Sequence, residues 1–290
     1  VLAGAFALLL VSLVLTGCSA VDGVVKQVGG ALAGSTMPKA GECWAESVST
    51  ITDYVEWTGG RPVPCTTRHD SYTYRVHKLS GMYLASWQKP GTDGELRSDV
   101  ATDAWNTCLS GADGLEDFFP TLDDRDYRLY FTDFLPTLAQ WKAGARWDRC
   151  DVSLITLGSP VSALRFDPLP TDIYKLIGDF EGHTDKYAYC IDTAEPATVD
   201  ADPLSSKTGR VSDCTKQPQW HEATNGYFTQ DDGAAFPSED ELDAFITTTC
   251  GPPEKDGIVT VAYPPSSDSW ATGDRQVECW SATEGSAPNA

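Results

Sequence analysis

The sequence predicts an α+β protein made of two tandem copies of one small disulfide-bonded module. Each module is expected to be an antiparallel sheet with one or two helices. Three observations predict this. The pattern W-x2-G-x-R-x3-C occurs twice, over Trp141 to Cys150 and over Trp270 to Cys279. A repeated pattern is read as a repeated structural unit before any fold is assigned. Eight of the nine cysteines divide four and four between the two halves. In each half, short alternating runs of the kind that form strands flank one run of helical period.

Residues 1–17 (VLAGAFALLLVSLVLTG) are apolar and uncharged, and too short for a comfortable membrane span. They end in Leu15-Thr16-Gly17-Cys18, which looks like a bacterial lipobox, so 1–17 reads as a lipoprotein signal peptide and Cys18 as the lipidated residue. Residues 18–39 are small, Gly-rich and without aromatics, as in a flexible tether.

The first module is placed at 40–160. It opens on Gly41-Glu42-Cys43-Trp44, and Val63-Pro64-Cys65 and His69-Asp70 follow. Alternation then predicts a strand with Tyr72, Tyr74 and Val76 on one face and Arg75 and His77 on the other. A helix is expected over about 98–110, because Ala101, Ala104, Trp105 and Cys108 recur at helical spacing and put Cys108 on the buried stripe. Glu116 to Pro120 reads as a turn or short helix. Tyr127 to Phe131 and the run through Cys150, Val152 and Leu154 read as strands.

Residues 161–186 read as a proline-bearing spacer, within which Ile173, Tyr174, Leu176 and Ile177 fit a short helix. The second module is placed at 187–286. Cys190 and Cys214 precede His221-Glu222, which is matched to His69-Asp70. Ser238 and Glu241 form a capping box for a helix reaching about Thr249, with Leu242, Phe245, Ile246 and Cys250 turned inward. Strands follow at Ile258 to Val261 and around Cys279, and 287–290 is a small polar tail.

Removing Cys18 leaves Cys43, Cys65, Cys108, Cys150, Cys190, Cys214, Cys250 and Cys279. An even number behind an export signal implies disulfides, and no C-x2-C pair argues for a structural metal. Pairing within each half is expected. Neighbour pairing is one of three connectivities open to four cysteines.

The net charge of −21 disfavours nucleic acid and anionic headgroups as partners. No nucleophile elbow, zinc-protease helix or phosphate loop is present, so no catalytic residue, cofactor or metal is assigned. His69, Asp70, His221 and Glu222 form a possible polar site. They suit a general base or ligand, and equally a hydrogen-bonded turn. Asp123, Asp124 and Asp126, like Asp231 and Asp232, lack calcium-loop spacing and read as exposed acidic loops. The repeated Trp141, Gly144, Arg146, Trp270, Gly273 and Arg275 are read as structural. In that reading the arginines bond loop carbonyls or stack on the tryptophans.

These residues resemble the septum formation domain of actinobacterial envelope lipoproteins, in two copies over about residues 40–286. Gly41-Glu42-Cys43, Cys65-x3-His69-Asp70, Cys108, Trp141 to Cys150 and Gly158-Ser159 fit that pattern. The second copy departs, with Tyr189-Cys190 at its opening and a Cys214-x6-His221 spacing three residues longer. The resemblance implies a membrane-tethered extracytoplasmic protein linked to division, and carries over no catalytic residue. Two functions follow as expectations. One is a non-enzymatic lipoprotein that binds envelope or division proteins. The other is a glycan-binding or glycan-processing protein, using an inter-module groove lined by Trp57, Trp87, Trp147 and paired carboxylates.

Changing Cys18→Ser is expected to move the chain from the membrane to the soluble fraction, as read by cell fractionation. Retention at the parent level would mean that the apolar leader itself is the anchor.

Overall fold

The computed structural model describes residues 37–46, 55–56, 60–79, 107–108, 114–122, 125–136, 140, 143–204, 208–230, 234–271 and 274–286. The leader, Cys18, the tether up to residue 36, Trp57, Trp87, Trp105, Trp141 and Gly273 lie outside the described residues. So do most of the helix expected over 98–110, Asp123, Asp124, Asp231, Asp232 and the tail 287–290. Among the described residues, no helix is long and apolar enough to cross a membrane.

The architecture is α+β, with two largely antiparallel sheets, few helices and four disulfides. The first sheet contains β1 (Cys43–Trp44), β2 (Val55–Glu56), β3 (Ser71–His77), β4 (Leu129–Leu135), β5 (Asp148–Ile155) and β6 (Phe166–Asp167). Its order is β1-β3-β5-β4-β2, with β6 paired to β5 and β2 running parallel to β4. The second contains β7 (Cys190–Asp192), β8 (Arg210–Ser212), β9 (Trp220–Tyr227), β10 (Glu254–Lys255), β11 (Ile258–Tyr263) and β12 (Gln276–Thr283), in the order β10-β11-β12-β9-β7-β8.

The central four strands of the two sheets share one order and one register. Cys43 lies opposite Tyr72, and Tyr72 opposite Val152; Cys190 lies opposite His221, and His221 opposite Ser281. Arg75, Cys150 and Asp133 form one row across the first sheet, and Thr224, Cys279 and Ala262 form the matching row across the second. The pairing of β3 with β5 and that of β9 with β12 are irregular at the same place. A bulge falls between Thr73 and Arg75 in one sheet, and between Cys279 and Trp280 in the other.

That bulge overturns the alternation read from β3. One inserted residue moves every later side chain to the other face. Tyr72 and Tyr74 still share a face and stack on Phe118, at 5.9 and 5.4 Å between centroids. Val76 instead packs with Trp44, Phe134, Ala145 and Trp147 on the opposite face. His77 turns to Asp148 on the side of the Cys108–Cys150 disulfide.

The disulfides join chain neighbours: Cys43–Cys65, Cys108–Cys150, Cys190–Cys214 and Cys250–Cys279. In each half one bridge ties the first strand, β1 or β7, to the turn before β3 or β9. The other ties a helical turn to the last strand.

Helices cover the first sheet from both sides of the sequence. They are α1 (Leu115–Phe118), α2 (Ile173–Gly182) and α3 (Thr184–Tyr187). Residues 161–186, read as a spacer, contribute a strand and a buried helix stripe to the first sheet. β6 pairs on β5, and Ile173, Leu176, Ile177 and Phe180 pack against Phe119, Tyr127, Leu129 and Val152. The short helix expected around Ile173 to Ile177 forms after Pro168 and Pro170, and burying such apolar side chains contributes about 1.5–3 kcal/mol each. Asp172 caps α2 by accepting from the Tyr174 N–H at 3.2 Å.

In the second half, α4 (Glu239–Cys250) starts on the expected capping box, with both of its hydrogen bonds formed, and α5 (Ser267–Ala271) precedes β12. The two sheets meet through bridges at Tyr127–Ala188 and Pro160–Arg210, and through an apolar cluster of Ile155, Phe166 and Val211.

Candidate functional site

The repeated motif forms a turn that feeds the last strand of each sheet. The Ala145 N–H donates to the Gln140 carbonyl at 2.9 Å, and the Asp274 N–H donates to the Ser269 carbonyl at 3.0 Å. The Leu79 N–H donates to the Arg146 carbonyl at 3.2 Å, and the Phe228 N–H donates to the Arg275 carbonyl at 2.9 Å. Gly144 has φ +101°, a left-handed conformation that an L side chain rarely adopts. Arg146 donates to the Ala145 carbonyl at 2.5 Å. The Arg275 guanidinium lies 3.8 Å from the centre of the Trp270 ring and donates to the Trp270 carbonyl at 2.8 Å. Trp270 is 3% exposed, and its indole N–H donates to the Ala234 carbonyl at 2.8 Å. Trp270 and Arg275 are therefore held inside the fold.

The two His-acid pairs are not equivalents. In register, His221 stands where Tyr72 stands, and Glu222 where Thr73 stands. The counterpart of Asp70 is Gln219. Asp70 accepts the Glu46 N–H at 2.9 Å, and Gln219 accepts the Thr193 N–H at 2.7 Å, each bond holding the chain just past the first strand. The segments from Cys65 to Tyr72 and from Cys214 to His221 are equally long, so nothing is inserted, and the second His-acid pair simply stands three positions further along its strand. His69 is buried, with Nδ1 at 2.9 Å from the Thr67 carbonyl, so His69 and Asp70 hold a turn.

His221 and Glu222 face a different environment. They line a cleft of about 570 Å³ between the two halves, with Arg125, Asp126, Asp185, Tyr189, Thr215 and Gln217. Asp126 leads into β4, and its N–H donates to Glu222 in a short hydrogen bond. The Tyr189 N–H donates to the Asp126 carbonyl at 2.9 Å. Arg125 pairs with Asp185 at 3.1 Å. Glu278, next to Cys279 on β12, approaches the same carboxylates from the second sheet.

Three half-buried carboxyls meet there. Burial pushes Asp126 up to about 7, and the neighbouring Glu222 adds to the push. Glu222 rises to about 7 by burial, against the opposing hydrogen bond from Asp126. Glu278 rises to about 7 by burial and by Asp126. Burial also lowers the His221 imidazole. Such a group can hold and release protons near neutral pH, the property that acid-base chemistry needs. Asp126 had read as part of an exposed acidic loop, and Glu278 went unremarked. The signal for Glu278 was a charged residue next to a cysteine on a strand expected to be buried.

Trp147 is buried at 1% exposure against Trp44 and Phe134, so it lines no groove. Among the described residues one group has metal-ligand proximity, His77, Asp148 and Cys150, and there Cys150 is tied in a disulfide. No family model, curated protein or solved structure matches this chain.

Trp270→Ala is expected to cost about 3–5 kcal/mol and lower the melting temperature under oxidising conditions, as for a buried aromatic. Unchanged stability would place Trp270 outside the scaffold. The carboxyl cluster gives a second test. An acid whose folded pKa is raised binds protons in the fold that the unfolded chain has lost. Its contribution to stability therefore falls as pH rises from about 4 to about 7. Glu222→Gln should stabilise the protein by about 1–2 kcal/mol at about pH 8, after allowance for solvent screening, and hardly at about pH 4. Thermal melts of both proteins at both pH values check the sign.

Proposed function

We propose that this chain is a lipid-anchored, extracytoplasmic envelope protein that acts by binding other envelope or division proteins. We also propose that it is built from two copies of one disulfide-bonded module. The observation that carries the reading is a frame used twice with different polar residues on it. Strand order, register, bulge, disulfides and the motif turn recur. The row Arg75, Cys150 and Asp133 is answered by Thr224, Cys279 and Ala262, so the recurring residues are those that hold the frame. A duplicated active site would repeat its polar groups. A duplicated scaffold is free to vary them. Four disulfides suit an oxidising compartment outside the cytoplasm, which fits the lipobox reading of Cys18. The link to septum formation rests on the motif resemblance alone.

A second reading has one observation in its favour. The cleft between the halves holds the paired carboxylates Asp126 and Glu222, as a glycan-processing site would need. Cross-linking the anchored protein in intact cells, followed by mass spectrometry, tests the first reading. The same envelope proteins should be captured by the wild type and by Glu222→Gln. Cleavage of purified cell-wall glycan by the wild type, abolished in Glu222→Gln, would replace binding with catalysis.

A further inference from the structure

We propose that the Cys108–Cys150 disulfide covers a zinc-class metal site. Once the pair is reduced, its two thiolates, His77 Nε2 and Asp148 Oδ2 hold one divalent ion. The four residues come from three places that the first sheet brings together: His77 from the end of β3, Asp148 and Cys150 from β5, and Cys108 from the helical turn beside them. His77 Nε2 lies 3.3 Å from Asp148 Oδ2, and Cys108 Sγ lies 3.4 Å from the same oxygen. The ligand atoms of His77, Asp148 and Cys150 all fall within 4.8 Å of one another. In a tetrahedral zinc site the ligand atoms stand roughly 3.3–3.8 Å apart, given metal–ligand bonds of about 2.0–2.3 Å. Two of the spacings are already in that range. Reduction lets the two sulfurs separate, and the remaining ligand atoms close from within 4.8 Å onto the ion.

The surroundings point to a ligand as well. Asp148 is 0% exposed, and its Oδ1 has no hydrogen-bond partner among the described residues. His77 Nδ1 and Asp133 Oδ2 are likewise buried without one. A disulfide sulfur carries no hydrogen, so the Cys108 sulfur donates nothing to Asp148. Burial and Asp133 raise the pKa of this carboxyl, which favours its protonated form. Burial and Arg75 lower His77 to about 4, so its imidazole is neutral, the form that binds metal. Arg75 also offsets the negative charge of two thiolates and one carboxylate around a divalent ion.

The redox step balances with an external dithiol. It passes two electrons and two protons to the Cys108–Cys150 bond and leaves as its own disulfide. Metal binding then releases the two thiol protons and the Asp148 proton. The second sheet provides a built-in control. Gly226 stands at the position of His77 and Val277 at that of Asp148, so Cys250 and Cys279 lack both partners.

The test uses Cys108→Ala, which exposes a Cys150 thiol beside His77 and Asp148 while the other three disulfides stay closed. Titration with Co²⁺ in the absence of oxygen should give one ion per chain, with thiolate-to-cobalt charge-transfer absorption that Zn²⁺ abolishes. Adding His77→Gln or Asp148→Asn should weaken binding at least about tenfold. Cys250→Ala and the oxidised wild type should give no such band. Near-UV circular dichroism checks that each variant is folded. If Cys108→Ala does not fold, the gently reduced wild type takes its place, with and without His77→Gln. A folded protein that binds no cobalt overturns the proposal. So does binding indifferent to His77 and Asp148, or equal binding by Cys250→Ala.

Discussion

Each sheet depends on its last strand being inserted between two that precede it in the chain. β5 lies between β3 and β4, and β12 between β9 and β11. Such a strand must find its register on both edges at once, and a slip of one residue would exchange core and solvent faces. Three features hold it. The motif turn brings the chain in at a set point by bonding back to the residue before the tryptophan. The bulge accommodates one extra residue beside the cysteine. The disulfide from a helical turn then fixes the strand against the layer above it, over sequence separations of 42 and 29 residues. Loops of that size are worth on the order of 3–4 kcal/mol each in the chain-entropy account of disulfides.

One position shows how a common frame serves two electrostatic ends. Arg149 and Glu278 each precede the cysteine of the last strand. Arg149 is wholly buried, and its charge is met by two carboxylates and two ring faces. Its guanidinium lies 4.0 Å from the Trp44 ring centre and 4.2 Å from that of Phe134, and it pairs with Glu46 at 3.2 Å and Asp151 at 3.1 Å. Ser71 and Thr73 donate to Asp151 at 2.6 and 2.7 Å, and the Trp44 indole N–H donates to Thr73 at 2.8 Å. Removing one partner of a buried charge so surrounded costs about 3–5 kcal/mol. Glu278 has no cation paired with it among the described residues and meets Asp126 and Glu222 instead. One sheet is therefore locked by ions, and the other meets its neighbour through groups that change charge near neutral pH.

The sequence made the frame legible because the frame is built of residues with strict requirements. Cysteines, the Trp270 stack, a left-handed Gly144 and the Ser238–Glu241 box each answer a geometric need that few other residues meet. The face assignment of Val76 was not legible, since a bulge leaves no mark in an alternating run. The short helix around Ile173 to Ile177 was legible from its spacing, but not that its apolar stripe packs into the core of the first sheet, since spacing does not say what a stripe meets. The junction was least visible. Asp126 and Glu222 are distant in sequence, and each looks like an ordinary surface acid until the two halves pack. The match of His221-Glu222 to His69-Asp70 failed for a related reason. Residue identity was followed where hydrogen-bond role mattered, and that role had passed from a carboxylate to the Gln219 amide.

The chemistry of the molecule thus sits where the frame is not repeated. Had the polar rows beside Cys150 and Cys279 been copies, their residues would be explained by folding alone, because both sheets have to fold. Arg75, His77, Asp133 and Asp148 have no counterparts, and the second sheet folds with Thr224, Gly226, Ala262 and Val277 in their places. The fold therefore does not require a buried histidine and two buried carboxyls beside a disulfide. Burying them with His77 Nδ1, Asp133 Oδ2 and Asp148 Oδ1 left without hydrogen bonds among the described residues costs stability that an apolar set would have retained. The same reasoning applies to Glu222, which stands where the first sheet has Thr73 and loses stability as its proton leaves. Groups that weaken a scaffold which demonstrably closes without them are the ones on which a role beyond the scaffold must fall.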